Sequence, residues 1–280
     1  MIDARHARLA TGGRLPATVR EPSVRLPRLL LAAPLFFHVP NALAQADTVP
    51  RVVLAIGAHA GDMELTAGAL LLKARAQGER VVLLHLTLGE GGNPKMTPAD
   101  YAVQKRREAT EAAAALGAEV LFAPYRDGEL PNDDAARRYV ADVIRQVRPT
   151  LVVTHARESI HKDHVATHAI VADAVLLASL DGVKTDHPAW RGVRGVWYAE
   201  NWEDADGFRP YLYVDVSGLV PRWRDAVSRY AFVRGGVSSF AYLDYYSALM
   251  TVRGAESNRR RAVSFDIDQL GKRRVIDSLP

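Results

Sequence analysis

Two short stretches of this chain carry side chains that could do chemistry together. One is His59-Ala60-Gly61-Asp62; the other is His161-Lys162-Asp163-His164, with His168 one turn further on. His59 and Asp62 stand three apart where an apolar run gives way to a helical pattern, so an imidazole and a carboxylate can reach one ion. His164 opens a later helical pattern and can face the same edge. Two imidazoles and one carboxylate suit zinc, with a position left open for water. Asp62 can equally N-cap the helix beginning at Met63, and His168 offers His164 a rival partner at helical spacing. The expectation is one divalent ion, zinc, on His59, Asp62 and His164.

The elements that would position these residues are legible as periodicities. Residues 51–58, 80–88 and 150–154 are apolar and rich in β-branched residues, as buried parallel strands are. A weaker strand is predicted near 119–123. Helical spacing predicts helices over 63–77, 99–116, 133–147 and 164–180, with Gly78 and Gly117 as stops. The alternation predicts an α/β fold, a Rossmann-like, mostly parallel sheet flanked by helices. After about residue 195 the pattern turns to short strands and helical stretches at 221–233 and 241–250, a smaller mixed part. In such sheets ligands bind beyond the carboxyl ends of the strands. His59, Glu90 and His155 each follow a predicted strand, so they gather at that edge.

The 280 residues are 48% hydrophobic and 24% charged, an ordinary globular balance. The net charge is +4. Six arginines before residue 29 against Asp3 and Glu21 account for all of it. The remaining domain is charge-balanced, which gives no support to nucleic-acid binding. No apolar run reaches the roughly 18 residues of a membrane span. The arginine-rich start, the apolar Leu29 to Val39 and the small-x-small patterns at 42–44 and 44–46 read as an export signal. Cleavage is expected after Ala44 or Ala46, giving a leader at 1–46, a domain at 47–270 and a tail at 271–280, with the mature protein periplasmic or extracellular. There are no cysteines, which excludes disulfides and thiolate chemistry. The turn after the first strand lacks the glycine pattern of a dinucleotide site.

The pieces AHAGDMELTAG, LTLGEGGN, RREATEAAAALGA, YRDGEL and VRPTLVVTH…HKDHVATHAIVADAV follow one another as in the PIG-L/LmbE-like zinc-dependent N-deacetylases, and the chain resembles that family over about residues 51–265. The resemblance implies His59, Asp62 and His164 as zinc ligands. It implies His161 as the group that stabilises the tetrahedral intermediate and protonates the leaving amine, with Asp163 orienting it. Arg107 (or Arg106) falls where the family contacts substrate, and Asp127 falls at the rim of the site. His155 is grouped with them as a substrate-side residue. The implied reaction is removal of an acyl group from an N-acylated amine, an N-acetylated amino sugar, with a small molecule or glycan as the partner.

One position departs from the family pattern. The aspartate that serves as general base there is Gly61 here, and the preceding proline is Ala60. A general base contributes about 10²–10⁴-fold, so its loss weakens catalysis but need not abolish it. Glu64, Glu90 and Asp163 are the candidate replacements, with Glu90 first because it follows the second strand. Gly61→Asp is then expected to raise turnover, unless Gly61 makes room for another group. The alternative is a non-catalytic zinc- or glycan-binding module that has lost its base.

Overall fold

The computed structural model describes residues 51–204 and 206–273. The expected leader at 1–46, and the tail from residue 274 onward, lie outside the described residues. Seven strands form one sheet in the order β3-β2-β1-β4-β5-β7-β6. The strands β1 (Val52–Gly57), β2 (Arg80–His85), β3 (Glu119–Phe122), β4 (Leu151–His155) and β5 (Gly195–Ala199) pair in parallel. β6 (Leu212–Asp215) and β7 (Ala262–Ile267) complete the sheet through antiparallel pairs. The α/β class and the mixed C-terminal part are therefore as expected.

Period-two alternation splits the core. Val53, Ala55, Val81, Leu83 and Val153 face one side of the sheet, and Leu54, Ile56, Val82, Leu84 and Val152 face the other. The first side is covered by α1 (Asp62–Thr66), α2 (Gly68–Ala76) and α3 (Pro98–Leu116), together with α6 (Val220–Val227) and α7 (Tyr242–Glu256). The second is covered by α4 (Asp134–Val147) and α5 (Lys162–Ser179). Strands buried on both faces read as continuous apolar runs, which is why 51–58 and 80–88 were recognisable.

The ends of these helices have local causes. Thr97 caps α3 by accepting a hydrogen bond from the Asp100 amide at 3.2 Å, and Pro98 opens the helix. Gly117 ends it in the left-handed region, at φ 72°. The helix expected over 63–77 is broken at Ala67 into α1 and α2. The expected helix at 221–233 stops at Val227, because the chain then turns to send Tyr230 inward, where its hydroxyl donates to the buried Glu64. Trp223, fully buried on α6, donates its indole N–H to the Glu64 carbonyl at 3.0 Å and so ties the C-terminal part to α1.

β1 lies between β2 and β4, so the chain leaves it in opposite directions to reach its two neighbours. A crevice opens beyond the carboxyl ends of strands at such a point. His59 lies just after β1, His155 ends β4, and His164 sits in the first turn of α5.

Candidate metal centre

Three donor atoms converge in that crevice. His59 Nδ1 lies 3.3 Å from Asp62 Oδ2. His164 Nε2 lies 3.2 Å from His59 Nδ1 and 3.5 Å from Asp62 Oδ2. Donors about 2.0–2.2 Å from a tetrahedral ion stand about 3.3–3.6 Å apart, so this triangle has the size of one face of a zinc tetrahedron.

The surrounding hydrogen bonds aim lone pairs into the triangle. His164 Nδ1 is 2.9 Å from Asp204 Oδ1, so the ring proton sits there and Nε2 carries a lone pair. His59 Nε2 faces the carboxylates of Asp127, at 3.1 Å, and Asp163, at 3.5 Å, which turns Nδ1 inward. Asp62 is turned back across its own turn by the His59 amide, which donates to Oδ2 at 2.7 Å. Three electron pairs facing one another at this range repel unless a cation lies between them, so the residues present fit a metal ion. Carboxylates hydrogen-bonded to the far side of ligating histidines are the usual means of orienting such rings.

The titration directions agree with this reading. Burial lowers the His164 pKa, and with the charge of His155 beside it the ring is held at about 4. Burial also opposes charge on His59, but the carboxylates of Asp62, Asp127 and Asp163 outweigh it and raise its pKa well above the ordinary value. That cluster calls for positive charge, as a proton or as an ion. Burial likewise opposes charge on Asp62, and the imidazoles around it hold its carboxyl well below the usual range.

The other expected residues take varied places. His161 caps α5 and lines the cleft; its Nδ1 accepts from the Asp163 amide at 3.2 Å, which leaves a proton on Nε2. Burial and the charge of His59 lower its pKa, so this imidazole is neutral and able to donate. The Asp163 carboxylate accepts from the Gly128 amide at 2.7 Å and approaches His59, so its hydrogen bonding supports His59 and the Asp127 turn rather than the His161 ring. Asp127 lines the cleft and receives the Gly91 amide at 2.9 Å. His155 is fully buried behind the ligands, between Asp204 at 3.0 Å and Asp62 at 3.1 Å, and does not line the cleft. Burial lowers its pKa, but those two carboxylates prevail and hold it at about 9. His168 points away, with Nδ1 3.1 Å from the His155 carbonyl.

Arg107 is a correction. It is exposed on the outer face of α3, away from the cleft, and Arg106 lies over the Phe122 ring. Lys105, one or two residues earlier, is the cation on the inward face. Its ammonium donates to the Ala60 carbonyl and lies over the rings of Phe232 and Tyr230, at 4.3 and 4.8 Å from their centroids. Burial lowers its pKa to about 8 against the pull of the surrounding carboxylates.

The candidate replacements for the missing base are also otherwise engaged. Glu64 is fully buried; Oε1 is held by Tyr230 and lies 3.2 Å from His85, while Oε2 accepts from the Gly61 amide at 3.2 Å. Glu90 Oε1 accepts the Asp127 amide at 3.0 Å and so shapes the turn that carries Asp127; Oε2 is buried without a hydrogen-bond partner, and the side chain does not line the cleft. Gly61 has φ +112°, and a Cβ there would stand 2.7 Å from Phe232 Cζ. The place where a side chain at 61 would begin is filled by an aromatic ring.

The cleft, of about 190 Å³, is floored by His59, Asp62 and His161 and walled by Tyr101, Trp202, Phe232 and Tyr242. Two residues missed in the sequence, Glu203 and Asp204, lie on the short helical turn Trp202–Asp204. Asp204 is fully buried, with one oxygen on His155 and the other on His164. Burial opposes its charge, but those two imidazoles hold its carboxyl far below the usual range. Glu203 lines the cleft with Oε2 3.4 Å from His164 Nε2. Burial and the neighbouring Asp62 raise its pKa to about 7. Neither follows a motif, and no periodicity marks them.

Residues 54–175 match the family model described as PIG-L, GlcNAc-PI de-N-acetylase. With the sheet order and the site above, this segment is similar to the PIG-L/LmbE-like enzymes. Among curated proteins it is 33% identical over 155 residues to 1D-myo-inositol 2-acetamido-2-deoxy-alpha-D-glucopyranoside deacetylase from Acidothermus cellulolyticus, covering 45% of this chain and 53% of that protein. The chain thus spans about half of that relative. It is 23% identical over 226 residues to 4-oxalmesaconate hydratase from Pseudomonas putida, covering 78% of this chain and 85% of the hydratase. The crystal structure of the 4-carboxy-2-hydroxymuconate hydratase GalB from Pseudomonas putida shares the fold, with a TM-score of 0.72 at 23% identity, over 82% of this chain and all of that one.

Proposed function

We propose that this chain is a zinc-dependent amidohydrolase that removes an acetyl group from an N-acetylated amino sugar. The observation that carries the reading is the triangle of His59 Nδ1, Asp62 Oδ2 and His164 Nε2 at the floor of an aromatic-walled cleft. One bound zinc would polarise the acyl carbonyl and the attacking water. His161, neutral with its proton on Nε2, donates a hydrogen bond to the oxygen on which charge develops. Trp202, Phe232 and Tyr242 offer flat apolar faces to a sugar ring, and Lys105 and Asp127 offer polar contacts to its hydroxyls. The deacetylase relative supports the substrate class. The arginine-rich start and small-residue sites support export, for which N-terminal sequencing of native protein should read from Gln45 or Asp47.

The test is metal analysis of purified protein followed by an amine-release screen over N-acetylated sugars. One zinc per chain and release of free amine are expected. Hydration of an unsaturated carboxylate is the second reading. It is favoured by the absence of a carboxylate at Gly61 and by the longer alignment with the hydratase. Zinc without amine release, with water added to such an acid, selects it. Zinc with neither reaction leaves a binding module.

A further inference from the structure

Gly61 leaves the centre without the carboxylate that the family resemblance places there. Asp62 is a donor of the triangle. Asp127 and Asp163 are spent on His59 and on the amides of Gly91 and Gly128. Both oxygens of Asp204 are taken by His155 and His164. Glu64 is locked under the turn by Tyr230 and the Gly61 amide, and Glu90 carries the Asp127 amide.

Glu203 is different. Its side chain lines the cleft, about one quarter exposed at 23%, and Oε2 stands 3.4 Å from His164 Nε2. That nitrogen bears a lone pair, since its ring proton is directed to Asp204. At that distance from one donor of the triangle Oε2 lies at the edge of the centre, within reach of a water that would occupy its open position. The backbone holds the carboxylate there: the Glu203 amide donates to Asn201 Oδ1 at 3.2 Å, and its carbonyl accepts the Ile160 amide at 3.1 Å. The turn carrying Glu203 is thereby pinned to the loop that leads into α5.

We propose that Glu203 takes the proton from the attacking water, the task an aspartate at position 61 would otherwise have. The amide-hydrolysis form of this step rests on the reading above. One O–H bond of water breaks and its proton goes to Glu203 Oε2, while the oxygen bonds to the acyl carbon. The C–N bond then breaks, and the proton passes from Glu203 to the departing nitrogen. Carboxylic acid and free amine leave, and the Glu203 carboxylate is restored.

The test uses zinc-loaded Glu203→Gln and Glu203→Ala. The Gln variant should keep one ion per chain and lose about 100-fold or more in kcat, with KM within about threefold. Formate should restore part of the turnover of the Ala variant, which a structural role would not permit. A Gln variant that keeps more than about a third of the turnover overturns the proposal. So does one that loses the ion, which would make Glu203 a ligand. A readout without substrate separates this from the amidohydrolase reading: the visible absorption of the Co²⁺-loaded protein followed against pH. Its midpoint should move by at least about half a pH unit in Glu203→Gln, even if the wild type releases no amine. Superimposable curves for wild type and variant count against Glu203.

Discussion

At the scale of single residues, Gly61 shows how a family pattern can mislead about a substitution. From the motif alone, restoring an aspartate there should add a base. The structure reverses that expectation. The backbone at Gly61 has φ +112°, a region where an L side chain is strained by roughly 1–3 kcal/mol. A Cβ would also press on Phe232 at 2.7 Å, and that ring packs against Lys105 and Tyr230. Gly61→Asp should therefore fold with a lower melting temperature and turn over no faster than wild type. Gly61→Ala, which carries the backbone strain without a carboxylate, should lose a comparable amount of stability. Thermal unfolding and initial rates check both. A Gly61→Asp variant faster than wild type would mean the ring moves aside and the lost base is recoverable.

At the scale of elements, α3 explains why the cation lining the cleft is Lys105 rather than Arg107. Tyr101, Lys105, Glu108 and Ala112 are buried at spacings of four, three and four, so they share one helical face. Arg106 and Arg107 fall outside that face. Reading the motif by position on the helix, instead of by the conspicuous arginine pair, would have found the lysine. Lys105→Met keeps the length of the side chain and removes the charge. A hydrogen bond to a charged group is worth about 1.5–3 kcal/mol, so KM should rise roughly ten- to hundredfold while kcat changes less. Burial holds the Lys105 pKa down at about 8, so its ammonium is present below that pH and lost above it. The wild-type KM should accordingly climb as pH rises through about 8, and the Met variant should lack that limb. A variant that keeps the same pH dependence would assign it to another group.

At the scale of the whole molecule, the centre is built by two parts of the chain. His59, Asp62 and His164 come from the segment that matches the family model, residues 54–175. The groups that orient and enclose them come in part from beyond it. Asp204 bridges His155 and His164, Tyr230 locks Glu64, and Trp223 ties α6 to α1. Asp204→Asn would leave one of the two imidazoles without its acceptor. Outer-shell changes of this kind cost about 10–100-fold in metal affinity. Competition with a chelator should show that loss, with the far-ultraviolet circular dichroism unchanged. Unaltered zinc affinity in a folded variant would mean that the ligands are held by the helix and turn alone.

What the sequence determined by itself is local and periodic. The buried strands were legible because a strand covered on both faces is apolar throughout, and α3 because Thr97, Pro98 and Gly117 mark its ends. The approach of His59, Asp62 and His164 was legible because a turn and a helix start place them at fixed offsets. Tertiary structure decided the rest. Glu203 and Asp204 reach the centre only because β5 pairs beside β4 and carries the following turn to the same sheet edge. Glu90 and Glu64 looked available in the sequence, yet the fold presents each with an amide N–H to satisfy. Whether a carboxylate is a base or a brace depends on which donors surround it, and those donors come from residues far away along the chain.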